Sequence, residues 1–159
     1  IAEFAGRAVS GFSMGGLGAL KYTAKYYGHF ASVSCHSGPA DLRGKDGSTI
    51  THWANLTSMA ELGGGMVYGA PWAEARVSAD NPMENIERYR GKRIFLVSGT
   101  SFIDSNEKRV LPTQRNFGRA LEAAGIPHER YEEAGGHFVR RERLQQDIDG
   151  VIAHLTKAG

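Results

Sequence analysis

Ser13 and His137 are the residues of this chain best set to do chemistry together, and each sits among glycines. Ser13 is the centre of Gly11-Phe12-Ser13-Met14-Gly15, a G-x-S-x-G pentapeptide. The strand-like Arg7-Ala8-Val9-Ser10 precedes it and the helix-forming Gly16-Leu17-Gly18-Ala19-Leu20 follows. A serine on a sharp strand-to-helix turn has its hydroxyl pushed into the open. Such a turn strains the serine backbone, and Gly11 and Gly15 are expected to remove Cβ atoms where the chain passes close to itself. A helix opening at Met14 would place free N–H groups and the positive end of its dipole beside the hydroxyl. The Met14 N–H is therefore the expected donor to a developing oxyanion, and Phe12 and Met14 flank the reacting atom.

A hydroxyl is a weak nucleophile until a base takes its proton, and the base needs an acid to set its tautomer and steady the imidazolium. His137, in the tight Gly135-Gly136-His137 loop, is the candidate base. Asp104 and Glu107 follow the strongest strand and are the candidate acids. Each also has a structural use, Asp104 as a turn residue and Glu107 as a first-turn helix charge. The order Ser, then Asp/Glu, then His is that of α/β-hydrolases. Among the remaining histidines, His29, His128 and His154 read as surface residues. His36 ends a strand and is a candidate for the pocket wall, and His52 stands beside Trp53. None has metal-ligand spacing, so neither a metal nor another cofactor is expected.

The elements that must carry these residues alternate. Strands are expected over residues 7–10, 30–35, 93–98 and 129–132. Helices are expected over 14–27, 81–88, 111–124 and 139–157, with the tail of another over 1–5. Gly28 and Gly125 close helices, and Pro82 opens one. This alternation predicts an α/β fold, a mainly parallel sheet between helices. Ligands of such sheets sit beyond the carboxyl ends of the strands, where Ser13, the turn after Ser98 and the His137 loop all fall. One domain over 1–159 is expected, with an aperiodic insert at about 39–80 as lid or pocket wall. The insert holds Trp53 and Trp72, candidates with Phe12 and His36 for contact with substrate, and a short helix is expected near 50–62.

Composition narrows the function classes. A net charge of +2 over 159 residues argues against nucleic acid as a partner. The cluster Arg140, Arg141 and Arg143 reads as one solvated helix face. No stretch is apolar for long enough to span a membrane. The single cysteine, Cys35, forms no internal disulfide and leaves the compartment open. Glycine is abundant, 21 residues against roughly 7 % in an average protein, which fits many tight turns.

The decapeptide Gly11 to Leu20, then Phe30 to Gly38, Gly99-Thr100, Gly125-Ile126-Pro127 and Gly135-Gly136-His137 together resemble the esterase family of α/β-hydrolases. That family includes esterase D, feruloyl-esterase-type modules and the mycolyltransferase antigens of actinobacteria. The resemblance implies an acyl-serine mechanism on small or acyl-ester substrates, with Ser13 as nucleophile and His137 as base. Esterase D-like members place an Asp soon after the Gly-Thr, a role for Asp104. Mycolyltransferase-like members place a Glu further along, which falls on Glu107, and Glu107 is preferred. Ester hydrolysis is the leading expectation. Acyl transfer to a sugar or other alcohol is the alternative, and a binding module without chemistry is a third. A secreted or cell-envelope location is implied by the resemblance alone. The second oxyanion donor of this fold comes from a loop after an earlier strand. The expectation is thus of an N-terminally truncated domain, whose missing strands belong beside residues 7–10 and come from a further segment or chain.

Overall fold

The computed structural model describes residues 6–43, 68 and 73–157. Strands β1 (Ala8–Phe12), β2 (Ser32–His36), β3 (Arg93–Gly99) and β4 (Glu129–Glu133) form one parallel sheet in that spatial order. The helices are α1 (Met14–Lys25), α2 (Glu74–Asp80), α3 (Glu107–Ala123) and α4 (Arg141–Lys157). Among the described residues β1 is an edge strand, and its Ala8, Ser10 and Phe12 are exposed.

Period-two alternation along β2 and β3 divides the sheet into two unlike faces. Val33 and Cys35 of β2 and Ile94 and Leu96 of β3 pack against Ala19, Leu20 and Ala24 of α1 and Phe117 and Leu121 of α3. This is the main apolar core. The intervening residues Ser34, His36 and Arg93 point to the other face and meet Asp147 of α4. Helices therefore cover both faces, which a parallel sheet needs. The register pairs Phe12 with His36, His36 with Val97, and Gly99 with Glu133. Four loops consequently leave one carboxyl edge together.

Most bounds shift from the sequence expectation by one or two residues, and three elements differ more. The helix expected over 81–88 is two 3-10 turns, Pro82–Glu84 and Ile86–Tyr89. Asn85 breaks it, because its side-chain amide donates to the Ser78 and Asn81 carbonyls and competes with the helical ladder. The expected aperiodic insert contains α2, whose Val77 joins Leu17, Leu42, Tyr68 and Val110 in a second buried cluster. Helix α3 starts at Glu107, four residues ahead of the expected Leu111, and contains Pro112. Asp104 makes the earlier start possible, since its Oδ1 accepts from the Asn106 and Glu107 N–H groups (2.9 and 3.0 Å). Helices leave their first N–H groups unpaired, so such a carboxylate acts as a cap. The expected helices over 1–5 and near 50–62 lie outside the described residues.

Candidate active site

The chain reverses at Ser13 between β1 and α1. Its backbone takes φ 58° and ψ −125°, a region that costs a non-glycine residue about 1–3 kcal/mol. Two features hold it there. The Ser13 N–H donates to the His36 carbonyl (2.9 Å), and the Ser13 carbonyl accepts from Gly16 and Leu17 in the first turn of α1. The close passage needs Gly11, where a Cβ would lie 2.0 Å from the Gly15 carbonyl oxygen. Gly15 is not required for space, contrary to the expectation, because a Cβ there would meet nothing within 4 Å. The second obligatory glycine is Gly16, whose Cβ would come 2.8 Å from Cys35 Sγ and 3.0 Å from Gly38 Cα. Helical geometry explains the shift, since residue 16 faces β2 and residue 15 faces out.

Serine at a helix N-cap ordinarily turns its hydroxyl onto the helix's own N–H groups. Ser13 makes no such bond. Its Oγ lies 2.8 Å from His137 Nε2, bringing together residues 124 positions apart. On the far side of the imidazole, Nδ1 is 3.0 Å from Glu107 Oε1. Glu107 is fully buried, and its Oε2 accepts from the Gly99 N–H (2.8 Å). A carboxylate at Nδ1 selects the tautomer with its proton there, leaving the Nε2 lone pair for the Ser13 O–H. Phe12 packs against the imidazole with ring centroids 4.8 Å apart.

Of the two candidate acids, Glu107 meets the imidazole and Asp104 does not. Asp104 binds the backbone around it instead. One oxygen caps α3 as described, and the other accepts from the His137 N–H (3.0 Å). Hydrogen bonds from the Glu107, His137 and Asn106 N–H groups hold its carboxyl below the usual range. Asp104 thereby ties the helix carrying Glu107 to the loop carrying His137. Its distance in sequence from His137 hid this tie, and the only local signal was an Asx-type cap ahead of α3.

The remaining candidates separate. His36 does not line an open pocket, because the residue is 4 % exposed and its ring is turned onto Asp147 on the opposite face of the sheet. What reaches the serine from His36 is its backbone carbonyl, a contact that side-chain reasoning could not anticipate. Phe12 and Met14 are exposed beside Ser13, and Met14 is the first residue of α1. Trp53 and Trp72 lie outside the described residues. Among the described residues no three His, Cys, Asp or Glu side chains form a cluster able to hold a metal, and no helix is long and apolar enough to cross a membrane.

A parallel sheet covered on both faces, with a strained serine after one strand and a histidine after the last, defines the α/β-hydrolase fold. The esterase family model matches residues 2–149, and the chain belongs to the esterase family. Esterase Rv1288 of Mycobacterium tuberculosis strain H37Rv and Esterase MT1326 of strain CDC 1551 are each 59 % identical over 165 residues. The alignments cover 99 % of this chain and 36 % of the relatives, so the chain spans about a third of their length. Solved structures share the fold as well. A fluorophosphonate-binding serine hydrolase of Staphylococcus aureus, FphF, aligns over 100 % of this chain and 56 % of its own, with TM-score 0.61 and 13 % identity. A ferulic acid esterase aligns over 100 % and 54 %, with TM-score 0.57 and 20 % identity.

Proposed function

We propose that this chain carries the catalytic centre of a serine esterase that cleaves carboxylic esters through an acyl-serine intermediate. The observation that carries the reading is the continuous line Ser13 Oγ, His137 Nε2, His137 Nδ1, Glu107 Oε1, with steps of 2.8 and 3.0 Å. Ser13 attacks the ester carbonyl as His137 takes the hydroxyl proton. The same proton then passes to the leaving alkoxide, and the alcohol departs. Water, deprotonated by His137, attacks the acyl-serine, and the imidazolium returns that proton to Ser13 Oγ as the acid is released. Glu107 orients the imidazole and stabilises its charged form.

The first N–H of α1, that of Met14, is the proposed oxyanion donor, reinforced by the helix dipole. This fold draws a second donor from a loop after an earlier strand, and the exposed edge of β1 is where the reading places that strand. The membership in an esterase family supports ester over amide cleavage. Labelling with a fluorophosphonate, followed by peptide mapping, tests the reading. Modification is expected at Ser13 and nowhere else, and is lost in Ser13→Ala. An unlabelled protein that still binds esters would identify a binding module instead. Product analysis with and without an added alcohol then separates hydrolysis from acyl transfer.

A further inference from the structure

The Gly135-Gly136-His137 loop contributes almost no side-chain packing to hold its imidazole, so whatever holds the loop lies outside it. Arg140 does not belong to a solvated helix face, as its neighbours in sequence led us to expect. It precedes α4 and is 9 % exposed. Its Nη2 donates to the Gly136 carbonyl and its Nη1 to the Phe138 carbonyl, both at 3.0 Å. These are the residues on either side of His137. Nη1 also lies 3.5 Å from Ser37 Oγ. Ser37, with φ 49°, follows the His36 carbonyl that accepts the Ser13 N–H. One guanidinium thus touches the loop of the imidazole and the turn behind the serine.

Energetics point away from a packing role. Burying a charge is costly, and an apolar side chain of similar volume often stabilises a protein more than a buried ion does. Arg140 is met by carbonyl and hydroxyl oxygens and by the face of the Phe138 ring, 4.5 Å to its centroid, and among the described residues by no carboxylate, while its Nε has no hydrogen-bond partner. The space around it is kept by Gly99. A Cβ there would lie 2.6 Å from Arg140 Nη2, 2.5 Å from the Gly135 carbonyl oxygen and 2.9 Å from Glu107 Cγ. The arginine, the histidine loop and the acid converge on that one empty position.

We propose that Arg140 is a positioning residue: by holding the Gly136 and Phe138 carbonyls it fixes His137 between Ser13 and Glu107. This rests on the reading of Ser13 and His137 as nucleophile and base. The planar fork of arginine holds two carbonyls at once, whereas lysine keeps the charge and loses the fork. The test compares Arg140→Met and Arg140→Lys in the intact protein. It measures steady-state hydrolysis of p-nitrophenyl acetate and fluorophosphonate labelling followed to its end point.

In Arg140→Met, kcat and the labelling rate constant are expected to fall roughly a hundredfold, the scale of a misplaced catalytic group, with KM unchanged within about twofold. In Arg140→Lys the loss should be roughly tenfold. In both variants every chain should still be labelled at the end point. Wild-type rate constants in the two variants overturn the proposal. So does a loss seen only as a smaller labelled fraction at an unchanged rate, which reports unfolded molecules and a merely structural arginine. Where Arg140→Met does not fold, Arg140→Lys decides by the same readouts. An unlabelled wild type defeats the serine reading and this assignment with it; a labelled wild type with equally fast variants defeats this assignment alone.

Discussion

The described residues contain two constellations of serine, histidine and carboxylate, one at the carboxyl edge of the sheet and one beneath it. At the edge the imidazole is central, with Ser13 on Nε2 and Glu107 on Nδ1. Beneath the sheet the carboxylate is central. Asp147 accepts from Ser34 Oγ (2.6 Å) and Arg93 Nη1 (2.7 Å), and pairs with His36 Nε2 (2.9 Å). The residue types match, but the order of connection decides the chemistry. A hydroxyl that donates to a base can be deprotonated by it. A hydroxyl that donates to a carboxylate already tied to an arginine has no available base, and Ser34 is also buried at 1 % exposure. The edge constellation has the connection that the proposed chemistry requires, and the buried one cements α4 to β2 and β3.

The comparison breaks most visibly at the serines. Ser13→Ala should lower ester turnover on the order of a millionfold, as removing a triad nucleophile does. Ser34→Ala should leave kcat almost unchanged and cost about 2 kcal/mol of stability, the scale of a buried hydrogen bond to a charged group. A Ser13→Ala protein with appreciable turnover at the same site would sink the contrast.

The carboxylates come next. Glu107→Gln should reduce kcat roughly ten-thousandfold, because an amide no longer selects the Nδ1–H tautomer. Asp147→Asn should instead destabilise by about 3–5 kcal/mol, because the buried Arg93 loses its close counter-charge and keeps only the more exposed Glu129 carboxylate at 3.6 Å, while molecules that remain folded still turn over. Thermal melts beside active-site titration separate the two effects. Asp104→Asn should be milder than Glu107→Gln, with kcat down about tenfold and KM little changed, since it loosens the His137 loop without touching the imidazole. Equal, small losses at positions 104 and 107 would mean that neither is the acid.

The gentlest test is acid titration of stability. Burial alone would raise the Asp147 carboxyl, but hydrogen bonds from His36, Ser34 and Arg93 outweigh it and hold the group below its ordinary range. A depressed folded-state value stabilises the protein fully above the unfolded carboxyl value of about 3.9, and that contribution is lost as pH falls through the folded value. Wild-type melting temperature should therefore decline below about pH 4, and Asp147→Asn should show a shallower decline. Matching slopes in the two proteins would remove Asp147 from the account.

How far the sequence alone reached depended on the range of the interactions involved. The elbow was legible because the glycines, the serine and the helix signal lie within one turn, where local sterics determine the backbone. The strands and the parallel α/β alternation were legible for the same reason, from periodicity over a few residues. Order along the chain also marked Ser13, His137 and a pair of candidate acids. Tertiary structure alone decided that Glu107 rather than Asp104 meets the imidazole, that His36 turns beneath the sheet, that Gly16 rather than Gly15 must be small, and that Arg140 is buried. Each of these depends on strand register, helix phase and loop docking, which bring together groups such as Glu107 and His137, 30 positions apart, or His36 and Asp147, 111 apart, and are not legible from the chain order.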